Sequence, residues 1–83
     1  MKFRKKPIII EAVQFLPTNP RDYYPMVKED PQYLKQFYIE TNSGDAYLFY
    51  GDWIITEMDG KNYYPCEKKI FEKTYEPVSE LEN

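Results

Sequence analysis

The apolar positions of this chain fall in short runs with two-residue alternation, set apart by turn residues, which is the spacing of strands. The first run, Lys6 to Leu16, carries β-branched Ile8, Ile9, Ile10 and Val13 behind Pro7, a residue tolerated at a strand start or edge. Alternation places Ile8, Ile10 and Ala12 on one face and Ile9, Glu11, Val13 and Phe15 on the other. Both faces are largely apolar, so a strand covered on both sides is expected, with Glu11 needing a partner there.

Pro20, Pro25 and Pro31 interrupt the next segment and leave no room for a long helix. Asp30 before Pro31 reads as an N-cap with proline at the first helical position, predicting a short helix from Pro31 to Phe37. Arg21 to Lys28 reads as a turn or irregular loop. From there the pattern is a meander: strands at Tyr38–Thr41, Ala46–Tyr50, Trp53–Glu57 and Lys61–Tyr64, joined by turns at residues 42–45, Gly51-Asp52 and Asp59-Gly60. The last of these turns carries a type I′ hairpin signal, and Pro65 is expected to stop the strand after it. Glu67 to Lys73 suits one or two helical turns with Ile70 and Phe71 inward, and Thr74 to Val78 reads as extended. The whole is an α+β domain dominated by a small antiparallel β-sheet or partly open barrel of about five strands, with one or two short helices. Residues 1–83 form a single domain, with residues 79–83 as a frayed tail.

Composition sharpens this picture in one respect. Aromatic residues make up 18% of the chain, through nine Tyr, five Phe and Trp53. A chain of 83 residues buries only about 64% of its unfolded surface, so its core cannot hold all those rings, and assembly would stabilise it. Tyr47, Phe49, Trp53, Tyr63 and Tyr64 fall on neighbouring expected strands and predict an aromatic cluster, with several rings left to line a groove or a subunit interface.

Chemistry is defined as much by what is missing. Histidine is absent, which removes the usual general base, the Ser-His and Cys-His nucleophile pairs and the commonest zinc ligand. Cys66 stands alone, so no intrachain disulfide forms and a reducing compartment is expected. Gly44, Gly51 and Gly60 lie in separate turns and build no phosphate loop. Carboxylate pairs such as Glu11 with Asp52 or Glu57 leave hydrolysis formally open, but the chain reads as a non-enzyme without cofactor or metal. The net charge of −3 argues against duplex DNA as a partner and weakens a single-strand reading. Lys2, Arg4, Lys5 and Lys6 nevertheless cluster at one end, opposite an acidic tail of Glu72, Glu76, Glu80 and Glu82. Ile8 to Ile10 is too short for a signal-peptide apolar region, and no run is long enough to span a bilayer, so no membrane association is expected.

Five blocks carry a resemblance. Arg4-Lys5-Lys6-Pro7, Ile10 to Phe15, Gly51 to Ile55, Tyr64-Pro65-Cys66 and Ile70 to Val78 together resemble the small PGDYG-type proteins encoded by many phages and prophages, over about half of the chain. The match departs from the name motif at Tyr50, where proline is usual, and at Trp53, where tyrosine is common. The resemblance implies a phage accessory protein of the host bacterial cytoplasm and names no reaction. By analogy with small phage proteins that counter host defences, the expectation is a homo-oligomeric sponge holding a nucleotide second messenger of the cyclic dinucleotide type. In it Arg4, Lys5 and Lys6 meet phosphates, Trp53 or Tyr64 stacks on a base, and Glu11 or Gln14 meets base edges or orients the basic groups. The alternative is a protein-interaction module that binds and inhibits a host protein through the same aromatics.

Overall fold

The computed structural model describes residues 1–2 and 9–78. Among them are six strands, β1 (Glu11–Gln14), β2 (Lys28–Glu29), β3 (Phe37–Thr41), β4 (Gly44–Leu48), β5 (Trp53–Thr56) and β6 (Tyr63–Cys66), a 3-10 turn at Arg21–Tyr23, and one helix, α1 (Lys68–Thr74). The strands form two antiparallel sheets of three, ordered β1-β5-β6 and β2-β3-β4. The α+β class stands, but the single sheet or barrel of about five strands is replaced by two small open sheets. The tail expected over residues 79–83 lies outside the described residues.

One core joins the sheets. Phe15 and Ile54 from the first pack with Phe37, Ile39 and Leu48 from the second and with Tyr24 and Val27 from the connecting segment. Phe15 is the hub: its ring meets Tyr24 edge-on at 5.1 Å, Phe37 edge-on at 5.2 Å, and Tyr50 in a stack at 4.9 Å. Register sets two faces on the first sheet, because antiparallel partners share a face. Val13, Ile54 and Tyr63 turn toward the core, while Ala12, Ile55 and Tyr64, with Gln14, Trp53 and Cys66, occupy the other face. Ile55 of β5 is only 1% exposed yet lies outside the core cluster, so β5 is covered on both faces, whereas Ile9, in the run expected to be covered on both sides, is 70% exposed.

The Tyr24 hydroxyl closes the free edge of the first sheet. The Phe15 N–H donates to Asp52 O at 2.8 Å and the Phe15 carbonyl accepts from Gly51 at 2.7 Å. Alternation then turns the Gln14 carbonyl and the Leu16 N–H the other way, where no strand among the described residues lies beside them. The buried Tyr24 hydroxyl donates to Gln14 O at 2.6 Å, accepts from the Leu16 N–H at 3.1 Å, and accepts from Asn19 Nδ2 at 2.8 Å. A single side chain thus does the work of a missing strand.

Several local expectations are corrected. The first strand is shorter than the run Lys6 to Leu16, and Ile9 and Ile10 precede it. Pro31 to Phe37 is not helical: Asp30 Oδ1 accepts from the Gln32 N–H at 2.8 Å, Lys35 takes φ 63°, and Asp30 N–H meets Gln36 O at 2.8 Å, so the segment is the loop of a β2–β3 hairpin. Tyr33 and Leu34 are exposed there, leaving a helix no buried face to stabilise it. The β5–β6 hairpin exists, but only Gly60 of the Asp59-Gly60 pair has positive φ, and the Asp59 carboxylate instead accepts from the Lys61 and Asn62 N–H groups. Type I′ geometry needs both positions left-handed. Pro65 lies inside β6, paired with Ile54 and tolerated because β6 is an edge. Ile70 is exposed, and only Phe71 of the expected pair turns toward the sheet. The turn before β5 closes with the Asp52 N–H on Phe49 O at 3.0 Å and Gly51 at φ 100°, a type II requirement at its third position. Tyr50 holds the second position, where proline is also favoured.

Removing the Tyr24 hydroxyl leaves the half-buried Gln14 carbonyl and Leu16 N–H without their partner, so Tyr24→Phe is expected to cost about 1–3 kcal/mol in urea unfolding. Tyr33→Phe, at an exposed ring, should stay within about 0.5 kcal/mol of the parent. Equal losses in the two variants would contradict the strand-closing role of Tyr24.

Candidate functional site

The outer face of the first sheet meets the helix through aromatic rings. Phe71 follows Glu67 by one helical turn, its N–H bonded to Glu67 O at 2.9 Å, and this aims its ring at β5. The Phe71 and Trp53 rings stack at 4.4 Å with 7° between planes. One further turn along, Tyr75 lies 4.9 Å from Phe71. Between this helix and the amino-terminal segment opens a cleft of about 830 Å³. Ile9, Ile10 and Ala12 line it from the strand side together with Trp53, and Phe71, Thr74 and Tyr75 from the helix side. Glu72 and Glu76 add carboxylates, and Pro77 and Val78 complete the lining.

The sequence-predicted residues divide into three groups. Gln14, Trp53 and Tyr64 share the outer face, with Gln14 opposite Trp53 in register and Tyr64 opposite Ile55. Of these, Trp53 lines the cleft. Gln14 is committed to structure, since its Nε2 donates to Gly51 O at 3.0 Å and holds the turn before β5. Glu11 shares the parity of Val13, not that of Trp53, and is exposed at the start of β1, so neither a buried partner nor a place in the cleft applies to it. Arg4, Lys5 and Lys6 lie outside the described residues. The expected aromatic cluster is also divided: Tyr63 packs toward the core, Trp53 and Tyr64 face outward, and Tyr47 and Phe49 are exposed on and beside β4.

Electrostatics keep the Cys66 thiol and the Tyr64 phenol protonated. Burial, followed by the Asp52 and Glu67 carboxylates, pushes the Cys66 thiol up, keeping it protonated and unreactive at neutral pH. Burial first, and Tyr75 second, raise the Tyr64 phenol, so it remains a neutral hydrogen-bonding group. Trp53 Nε1 is buried without a hydrogen-bond acceptor. Among the described residues no group of three or more His, Cys, Asp or Glu side chains is placed to hold a metal ion. No helix among them is long and apolar enough to cross a membrane.

Phe71 and Tyr75 are the residues that sequence reasoning passed over. Their four-residue spacing marks one helix face. Phe71 was assigned to the interior, which conceals that both rings border an open cleft. Neither a protein-family model nor a curated protein nor a solved structure matches the chain.

Iodoacetamide kinetics test the state of the thiol. Because the folded pKa is raised, thiolate appears at higher pH in the folded than in the unfolded chain, and near pH of about 8.5 Cys66 should alkylate more slowly folded than in urea. The gap should close as pH rises further; identical profiles in both states would contradict the burial effect.

Proposed function

We propose that the protein is a non-catalytic binding module that sequesters a nucleotide, with the base in the aromatic cleft and the phosphates on the basic amino-terminal cluster. The observation that carries this reading is the composition of the cleft: Trp53, Phe71 and Tyr75 lie on its border, and Ile9 and Ile10, which also line it, follow Arg4, Lys5 and Lys6 closely in sequence. Its volume of about 830 Å³ falls within the range of small-molecule sites, roughly 300–1,000 Å³. Aromatic faces stack on any base, and Arg and Lys supply charge-assisted bonds to phosphate. Glu72 and Glu76 are acceptors for the amino groups of a base. In the phage setting that the sequence resemblance implies, the cargo is a host second messenger of the cyclic dinucleotide type, and binding it intact withdraws it from its receptor. Assembly into a homo-oligomer belongs to the same reading, since a chain this short gains stability from it.

A second reading rests on different residues. Leu34 is 85% exposed and Phe49 73%, with Tyr33 and Tyr47 exposed on the same sheet and its loops, a set suited to a protein partner. Co-purification of one host protein in stoichiometric amount, lost in a Leu34→Ser, Phe49→Ser double variant, would favour it.

Native mass spectrometry with a panel of cyclic dinucleotides is expected to show integral ligand numbers, and heat release should return the ligand chemically intact. Calorimetry of an Arg4→Ala, Lys6→Ala variant should lose affinity by at least about ten-fold, in line with charge-assisted bonds to phosphate. Uptake of none of the panel by any assembly state, or a nucleotide that is converted to product, would overturn the reading.

A further inference from the structure

The helix that borders the cleft is held in an unusual way. Along α1 no residue is buried; Phe71 is half-buried and Lys68, Lys69, Ile70, Glu72 and Lys73 are exposed. Its N-cap, Glu67, makes no side-chain capping bond. A helix of 7 residues has little stability of its own, so its order depends on what its rings touch. Those contacts are the Phe71 stack on Trp53 and the half-buried Tyr75 that follows the helix. The covered state is also chemically incomplete, because Trp53 Nε1 is buried with no acceptor and a buried donor gains when it regains one.

From these observations we infer that Phe71 is a resident occupant of the stacking position on Trp53, and that α1 is a displaceable cover which a planar heteroaromatic ligand lifts by taking the place of the Phe71 ring. The inference rests on the nucleotide reading of the cleft and adds its regulation. The Phe71 ring lies parallel to the indole at 4.4 Å, which is the geometry a stacked base adopts, so ring and base compete for one surface. Ligand binding and α1 docking are then reciprocally coupled: whatever stabilises the docked helix weakens the ligand, and the ligand releases the helix. Trp53 is the single tryptophan of the chain and reports on the exchange directly.

The test combines amide hydrogen exchange with binding of cyclic di-AMP to the full chain. Without ligand, the Phe71 and Tyr75 amides of the helix should exchange at least about a hundred-fold faster than those of β5, as for a locally opening element. Phe71→Ala should bind cyclic di-AMP about five-fold more tightly than the parent, the value of one aromatic pair, with β5 protection unchanged as proof that the sheet still folds. Phe71→Leu, which keeps bulk without a stacking plane, should fall between. Helix amides protected as long as those of β5, or weaker binding in Phe71→Ala, would overturn the displaceable cover. If parent and variants all fail to bind, the nucleotide reading falls, and the exchange rates alone decide whether the cover opens.

Discussion

The fold depends on a tyrosine hydroxyl placed where a strand is missing. Among the described residues β1 pairs with β5 alone, and the backbone from Gln14 to Leu16 alternates its groups between that side and the side with no strand. Tyr24 fills the gap with one oxygen that both donates and accepts, while its ring packs edge-on against Phe15. The polar and apolar halves of one side chain therefore fix the same three-residue segment, backbone at Gln14 and Leu16, ring at Phe15. That clamp holds β1 in register with β5, and the register in turn puts Val13 with Ile54 inside and Ala12 with Trp53 on the outer face. The location of the cleft is a consequence of a hydrogen bond on the far side of the strand from it.

What could be read in advance follows a physical division. Two-residue alternation reports which residues share a face, so strands β3, β4 and β5 were legible between Tyr38 and Glu57, although β4 starts at Gly44, inside the expected turn at 42–45, and the expected two-sided cover of the first strand fails at the exposed Ile9. Two candidate site residues, Trp53 and Tyr64, were legible only as lying on neighbouring strands, and the register puts them on one face. Pro31 misled because a good helix start says nothing about whether the helix has a surface to bury, and Tyr33 and Leu34 have none. Tyr24 was illegible for the opposite reason: among nine tyrosines, only the tertiary structure shows which hydroxyl meets an unpaired strand edge. Glu11 and Gln14 failed as ligand contacts because parity sends one to the wrong face and a nearby carbonyl claims the other.

The second face of the sheet is where small size and function meet. The core cluster lies on one face of the first sheet, and the outer face is bordered by a short helix and the segment that follows it. Such a cover is cheap to form and cheap to remove. On the proposed nucleotide reading, releasing it breaks the Phe71 stack on Trp53, worth about 0.5–1.5 kcal/mol beyond the apolar area it buries. A base stacked on an aromatic ring returns about 1–3 kcal/mol, nearly the same amount. In the proposed exchange the docked helix prevails when the cleft is empty, and one base returns little more than it displaces. In that proposed exchange a ligand with two bases, or with phosphates that reach the basic cluster, tips the balance decisively, which would make the weak cover itself a filter for ligands with more than one recognition element.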